Sequence, residues 1–236
     1  MKKNTARLLT IMTVTSALFS GSVYAFGLPG LPKSGDQKSA PAVSSADFEK
    51  LLGDTASNVL SARIQFNNAK KTIADAIGLK LDAYDKEGVA LAAVSGAASD
   101  PGKKVAAIKD SSKLSAEADK TLKEALQKAD NLSDEAKAKF VEGAAKFVGG
   151  VVLEEKQIET IKSLVDQGKS LASSASPMEK PKVLGLIKPA TEMATMVPGD
   201  VKEGVTVLGM ITTFATKHKL SVPSKEEASK SLNDSP

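Results

Sequence analysis

From Phe48 onward, apolar or small residues fall at positions 48, 52, 55, 59, 62, 66, 69, 73 and 76, an alternating 4-3 spacing held for about four heptads. The spacing predicts a long helix packed lengthwise on its neighbours. Ser44 and Ser45 open it, with Asp47 three places after Ser44 as in a capping box. Leu51, Leu60, Ile64 and Ile77 widen the stripe, which favours a bundle over a two-stranded coiled coil. The helix is expected over about 45–78, with Gly78 marking its end or a break.

A second long stripe runs through Phe140, Ala144, Phe147, Val151, Glu154, Ile158, Ile161, Val165, Gly168 and Ala172, predicting a helix over about 133–172. Gly149 and Gly150 interrupt it, each at about 1 kcal/mol relative to alanine, and allow either a kink or close helix approach. Glu154 is the one charged residue on that stripe. An acid in an apolar seam has to pair, snorkel or rotate outward.

Shorter helices are expected over about 81–98 and 103–130, separated by the turn Asp100-Pro101-Gly102. The centre of the latter, Asp110-Ser111-Ser112-Lys113, is polar, which predicts a bend or a loose contact. Asn131-Leu132-Ser133 forms a junction before the second long helix, and residues 173–181 form a loop after it. A helix over about 182–197 should kink or split at Pro189, Pro198-Gly199-Asp200 reads as a tight turn, and a sixth helix follows over about 200–219. Residues 223–236 read as a polar tail with at most one fraying helical turn. The fold expected is an all-α, elongated bundle of five or six antiparallel helices in a single domain over 45–222.

The chain ahead of this domain has a different character. Lys2, Lys3 and Arg7 precede an apolar run from Leu8 to Phe19, and Val23-Tyr24-Ala25 offers small residues for a cleavage site after Ala25. Residues 1–25 are expected to be a bacterial-type secretory signal peptide, since a dozen apolar residues fall short of the roughly 20 needed to cross a bilayer. Residues 26–44, rich in proline and glycine, read as a flexible arm whose Phe26, Leu28 and Leu31 are candidates for docking on a partner. The expected destination is the periplasm or the cell exterior.

Removing residues 1–25 changes the charge. The formal net charge of +4 loses three basic residues, leaving 29 Lys and Arg against 28 Asp and Glu. The basic character therefore belongs to the leader, and no nucleic-acid partner is expected. Arg63 is the only arginine after Arg7, whereas planar recognition of phosphate or bases relies on arginine. Cysteine is absent, so no disulfide restrains the unfolded chain and stability rests on packing.

Catalytic chemistry finds little to work with. His218, the single histidine, lies between Lys217 and Lys219 at a predicted helix end, where interaction with the helix dipole accounts for it. One histidine and no cysteine leave no zinc site. The acids from Asp82 to Glu87 do not follow an EF-hand, and no phosphate loop, nucleophile elbow or dinucleotide fingerprint occurs. No cofactor, metal or catalytic residue is expected. The apolar segment 183–218, with Met193, Met196, Met210 and Phe214, reads as a core hairpin, an adaptable surface for an apolar ligand or partner helix, or a membrane-inserting hairpin. With Phe26, Leu28, Leu31 and Glu154, these four residues make up the candidate interaction surface.

The function expected is that of an exported, non-catalytic helical protein, a monomer or weak homo-oligomer, acting on an unknown protein partner or in the cell envelope. The alternatives are a periplasmic carrier of a lipid or other hydrophobic ligand and a membrane-active helical protein.

Overall fold

The computed structural model describes residues 44–96 and 100–233. Phe26, Leu28 and Leu31, together with the whole leader and arm ahead of Ser44, lie outside the described residues. Within them the protein is a bundle of six helices with no strand: α1 (Ser45–Ala76), α2 (Asp82–Ala92), α3 (Pro101–Lys128), α4 (Asp134–Ser174), α5 (Lys180–Lys217) and α6 (Lys225–Asn233).

Local chemistry sets the helix ends. Ser44 Oγ accepts from the Asp47 amide at 3.1 Å and donates to Asp47 Oδ2 at 2.6 Å, opening α1. Asp100 and Ser133 cap α3 and α4 in the same way, accepting from Lys103 N and Ala136 N. At the end of α1 Gly78 takes φ +77°, so that Leu79 N reaches Ala74 O at 2.8 Å and Gly78 N reaches Asp75 O at 3.1 Å. The end of α5 closes with the same double bond, but Lys219 occupies the left-handed position, at φ 54°. A side chain there costs about 1 kcal/mol that glycine avoids. Lys219→Gly is therefore expected to raise the urea midpoint slightly, by up to about 1 kcal/mol of stability, despite the greater freedom glycine gives the unfolded chain.

The expected break at Pro198-Gly199-Asp200 does not occur. α5 continues through both Pro189 and Pro198 as one helix. Val183, Ala190, Met193, Val197, Val201, Gly204, Val207, Ile211 and Phe214 keep a single inward stripe across the prolines. Packing of that stripe on α4, α3 and α1 outweighs the roughly 3 kcal/mol that an interior proline costs. The expected tail is also more ordered, because Ser224 and Glu227 form a reciprocal capping box (3.2 and 2.7 Å) and Lys225 pairs with Glu155 of α4. α2 stops at Ala92, earlier than its alanine-rich pattern predicts. α3 continues unbroken through its polar centre, where Ser111 is buried, as is Ser115 one turn on.

α1 and α4 form the longest contact of the bundle. Phe48 meets Gly168, Phe66 meets Gly150 and Ile73 meets Gly143, so partners descend along α4 as α1 ascends. The glycines of α4 let this happen. A Cβ on Gly143 would sit 2.8 Å from Ile73 Cγ1 and 3.1 Å from the Ile73 backbone nitrogen, which cannot yield. Gly143→Ala is expected to destabilise by about 1–3 kcal/mol in urea unfolding, against the helix-propensity gain such a change normally brings.

Two apolar clusters fill the interior. One gathers Phe66, Ile73, Tyr84, Leu122, Phe140, Phe147 and Phe214. The other gathers Phe48, Leu52, Leu91, Ile108, Ile161, Met193 and Val197. Along α1 the first spans residues 66–76 and the second 48–60; along α4 they span 140–151 and 161–164. The stretch where one gives way to the other is polar.

Candidate functional site

That polar stretch is a layer of buried charge. On α1 a second 4-3 stripe, Ala56-Leu60-Arg63-Asn67-Lys70-Ala74, turns polar in its middle three positions, all of them buried. α3 meets it with Ser112, Ser115 and Asp119, α2 with Glu87 and Tyr84, α4 with Glu154, and α5 with Asp200.

Arg63 Nη2 donates to Ser112 Oγ at 2.8 Å and forms an ion pair with Asp200, tying α1 to α3 and α5. Lys70 Nζ lies 3.0 Å from Asp119 Oδ1, 3.4 Å from Ser115 Oγ and 3.8 Å from Glu87 Oε2, and sits 5.2 Å from the centroid of the Tyr84 ring. The Tyr84 hydroxyl donates to Asp119 at 2.9 Å, and Asn67 Nδ2 donates to the Tyr84 carbonyl at 2.8 Å. These bonds pull α2 and α3 onto α1.

Two acids in the layer are less well served. Glu154 and Glu87 are both 0% exposed; Glu87 has Lys70 at 3.8 Å, whereas neither carboxyl oxygen of Glu154 has a hydrogen bond. Arg63 Nε is also buried without an acceptor. Two cations, Arg63 and Lys70, thus face four acids: Glu87, Asp119, Glu154 and Asp200. Burial disfavours carboxylates. It pushes Glu154 up to about 8, only partly countered by the positive charge of Arg63 and aided by the negative charge of Asp200. Glu87 is raised for the same first reason, with Lys70 opposing. Asp200 is also raised by burial, in spite of its pairing with Arg63. For Arg63 burial works against the charge, but the surrounding acids, Asp200 foremost, outweigh it and hold the guanidinium protonated.

A cleft of about 110 Å³ leads to this layer between α1, α3 and α5, with Arg63, Lys70, Asp119, Asp200 and Glu203 on its walls. Asp119 and Asp200 are 18% and 16% exposed, so they sit at the boundary between the layer and solvent. The arrangement is suited to holding and exchanging a proton. Among the described residues no group of three or more His, Asp or Glu is placed to hold a metal ion.

The other sequence candidates lie elsewhere. Met193 and Phe214 are in the two apolar clusters, and Met196 and Met210 pack at their edges. Phe214 stacks on Phe140 at 4.6 Å and on His218 at 4.3 Å. His218 caps α5, with Nε2 3.2 Å from the Ala129 carbonyl. The layer brings Glu154 together with Arg63, Lys70, Glu87, Asp119 and Asp200, five residues that were not on the candidate surface. Their signal in the sequence is the polar middle of the second α1 stripe opposite the polar middle of α3. Comparison with protein-family models, with curated proteins and with solved structures finds no match to this chain.

Proposed function

We propose that the chain is an exported, non-catalytic helical protein that works by binding another protein. The observation that supports a binding role is how the interior charges are used. Arg63, Lys70, Asp119 and Asp200 bond to one another, and to serines, across α1, α3 and α5, so the polar groups serve to join helices. Met193 and Phe214, the residues a carrier of hydrophobic ligands would use, are taken up in packing. No helix among the described residues is long and apolar enough to cross a membrane. Export rests on Lys2, Lys3, Arg7, the apolar run and the Ala25 junction.

Two experiments test the reading. The protein recovered from outside the cytosol should begin at Phe26; a cytosolic chain that keeps residues 1–25 would contradict export. A photo-reactive residue placed at the exposed positions Val89, Leu114, Met178, Leu184 or Val205 should give a discrete protein adduct in the native cell. Absence of an adduct at all five, or substrate turnover lost with Glu154→Gln, would overturn the binding role.

A further inference from the structure

We propose that the buried layer is a proton-linked latch in which Glu154 of α4 and Asp200 of α5 compete for Arg63, so that ionising Glu154 releases α5 and opens the cleft. The inference stands apart from the reading of export and partner binding. It rests on three geometric observations.

The first is the free hydrogen-bonding capacity on both sides. Glu154 presents two buried oxygens without partners, while Arg63 keeps a buried Nε without an acceptor. As a neutral acid, Glu154 leaves the guanidinium to Asp200 and Ser112. Once its proton has passed to solvent water, a second carboxylate claims the same cation.

The second observation is the charge around it. The charges that act on Glu154 are Arg63 and Lys70 from α1 and Asp200 from α5, with Glu87 of α2, Asp119 of α3 and Glu203 of α5 in the same layer around those cations. Lys70 is engaged by Asp119 and lies within 3.8 Å of Glu87, and Glu203 is paired with Lys123. Only Arg63 is placed to answer a new charge on Glu154. One acid then has to give way. Asp200 reaches water at 16% exposure, while Glu154 at 0% cannot, so Asp200 is the one that leaves.

The third is a weak point in the helix that carries Asp200. Pro198, two residues earlier, has no N–H for the carbonyl one turn back, and a side chain on Gly199 would touch nothing within 4 Å. α5 therefore lacks one backbone hydrogen bond and has an open outer face immediately before the residue that would move, while Val197 and Val201 stay buried on its inner face. Movement there changes the cleft directly, because Asp200, Glu203, Gly204 and Val207 form its α5 wall.

Hydrogen exchange followed by mass spectrometry, corrected for the intrinsic pH dependence of exchange, tests the latch on the intact protein. Peptides covering 199–210 are expected to lose at least about tenfold in protection between pH 6 and pH 9, while peptides covering 48–60 of α1 change much less. Glu154→Gln should keep α5 protected at both pH values. Asp200→Asn, which frees α5 from Arg63, should show low protection at both, without a step. The latch is overturned if wild-type α5 is equally protected at both pH values, if Glu154→Gln retains the step, or if Asp200→Asn does. Should Glu154→Gln not fold, the Asp200→Asn and wild-type profiles still decide it.

Discussion

Arg63→Met is expected to lower the unfolding free energy by about 3–5 kcal/mol at pH 7, the largest effect of any single change in the charged layer. Methionine fills much of the volume, so the loss is electrostatic. Asp200 and Ser112 lose the donor that joins α5 and α3 to α1, and Glu154 loses the main charge that offsets its burial. The cost should shrink toward acid pH, because burial already raises Asp200 and lets it take up a proton in place of its lost partner. Removing the acids together with the cation should restore much of the stability, because a buried ionic group replaced as a whole by apolar residues is often neutral or favourable. Urea unfolding of Arg63→Met beside the triple change Arg63→Met, Glu154→Leu, Asp200→Leu checks both statements. A single variant within 1 kcal/mol of wild type at pH 7 would mean the layer is not held by Arg63.

Glu154→Gln is expected to reverse the pH dependence of stability on the alkaline side. Glutamate in the unfolded chain titrates near 4.5, whereas in the fold Glu154 holds its proton to about 8. Between those values the folded state binds a proton that the unfolded state has released. Stability therefore falls as pH rises from about 4.5 to about 8 and is level above that, a loss of roughly 3–5 kcal/mol from this group. Glutamine carries no such proton, so the variant should be flat over this range and more stable than wild type at pH 9. Acids held low by a bonded partner act in the opposite sense. Asp130 beside Lys217 and Glu203 beside Lys123 stabilise the fold above their unfolded values, and that help is lost as pH falls through their lower folded ones. The stability maximum should consequently lie on the acid side of neutral. Thermal or urea unfolding from pH 4 to 9 measures it.

The helices were legible because period and end signals agree. The stripe from Phe48 to Ala76 and the stripe through Phe140 and Ile161 give α1 and α4 to within about two residues, with Ser44 and Ser133 as their caps. Pro198 was misleading in the sequence because proline is a local signal, whereas the continuity of α5 is decided by the stripe running from Val183 to Phe214 on both sides of it. The interior layer was half legible. Glu154 stood out as a charge in an apolar seam, but the partners of that seam come from other helices. Arg63, Asn67 and Lys70 occupy a face of α1 that solvent would also satisfy, and only their burial against the serines of α3 gives them a different role. Serine at 111, 112 and 115 weakens the amphipathic signal of α3 for the same reason that it fits there: its inward face meets cations.

The central claim is that Glu154 carries a proton inside the bundle at neutral pH. The most direct measurement is a carbon-13 NMR titration of the glutamate side-chain carboxyls, with the Glu154 signal assigned by its disappearance in Glu154→Gln. A midpoint near 8 is the result expected. A midpoint near 4.5, the ordinary value for a solvated glutamate, would contradict it.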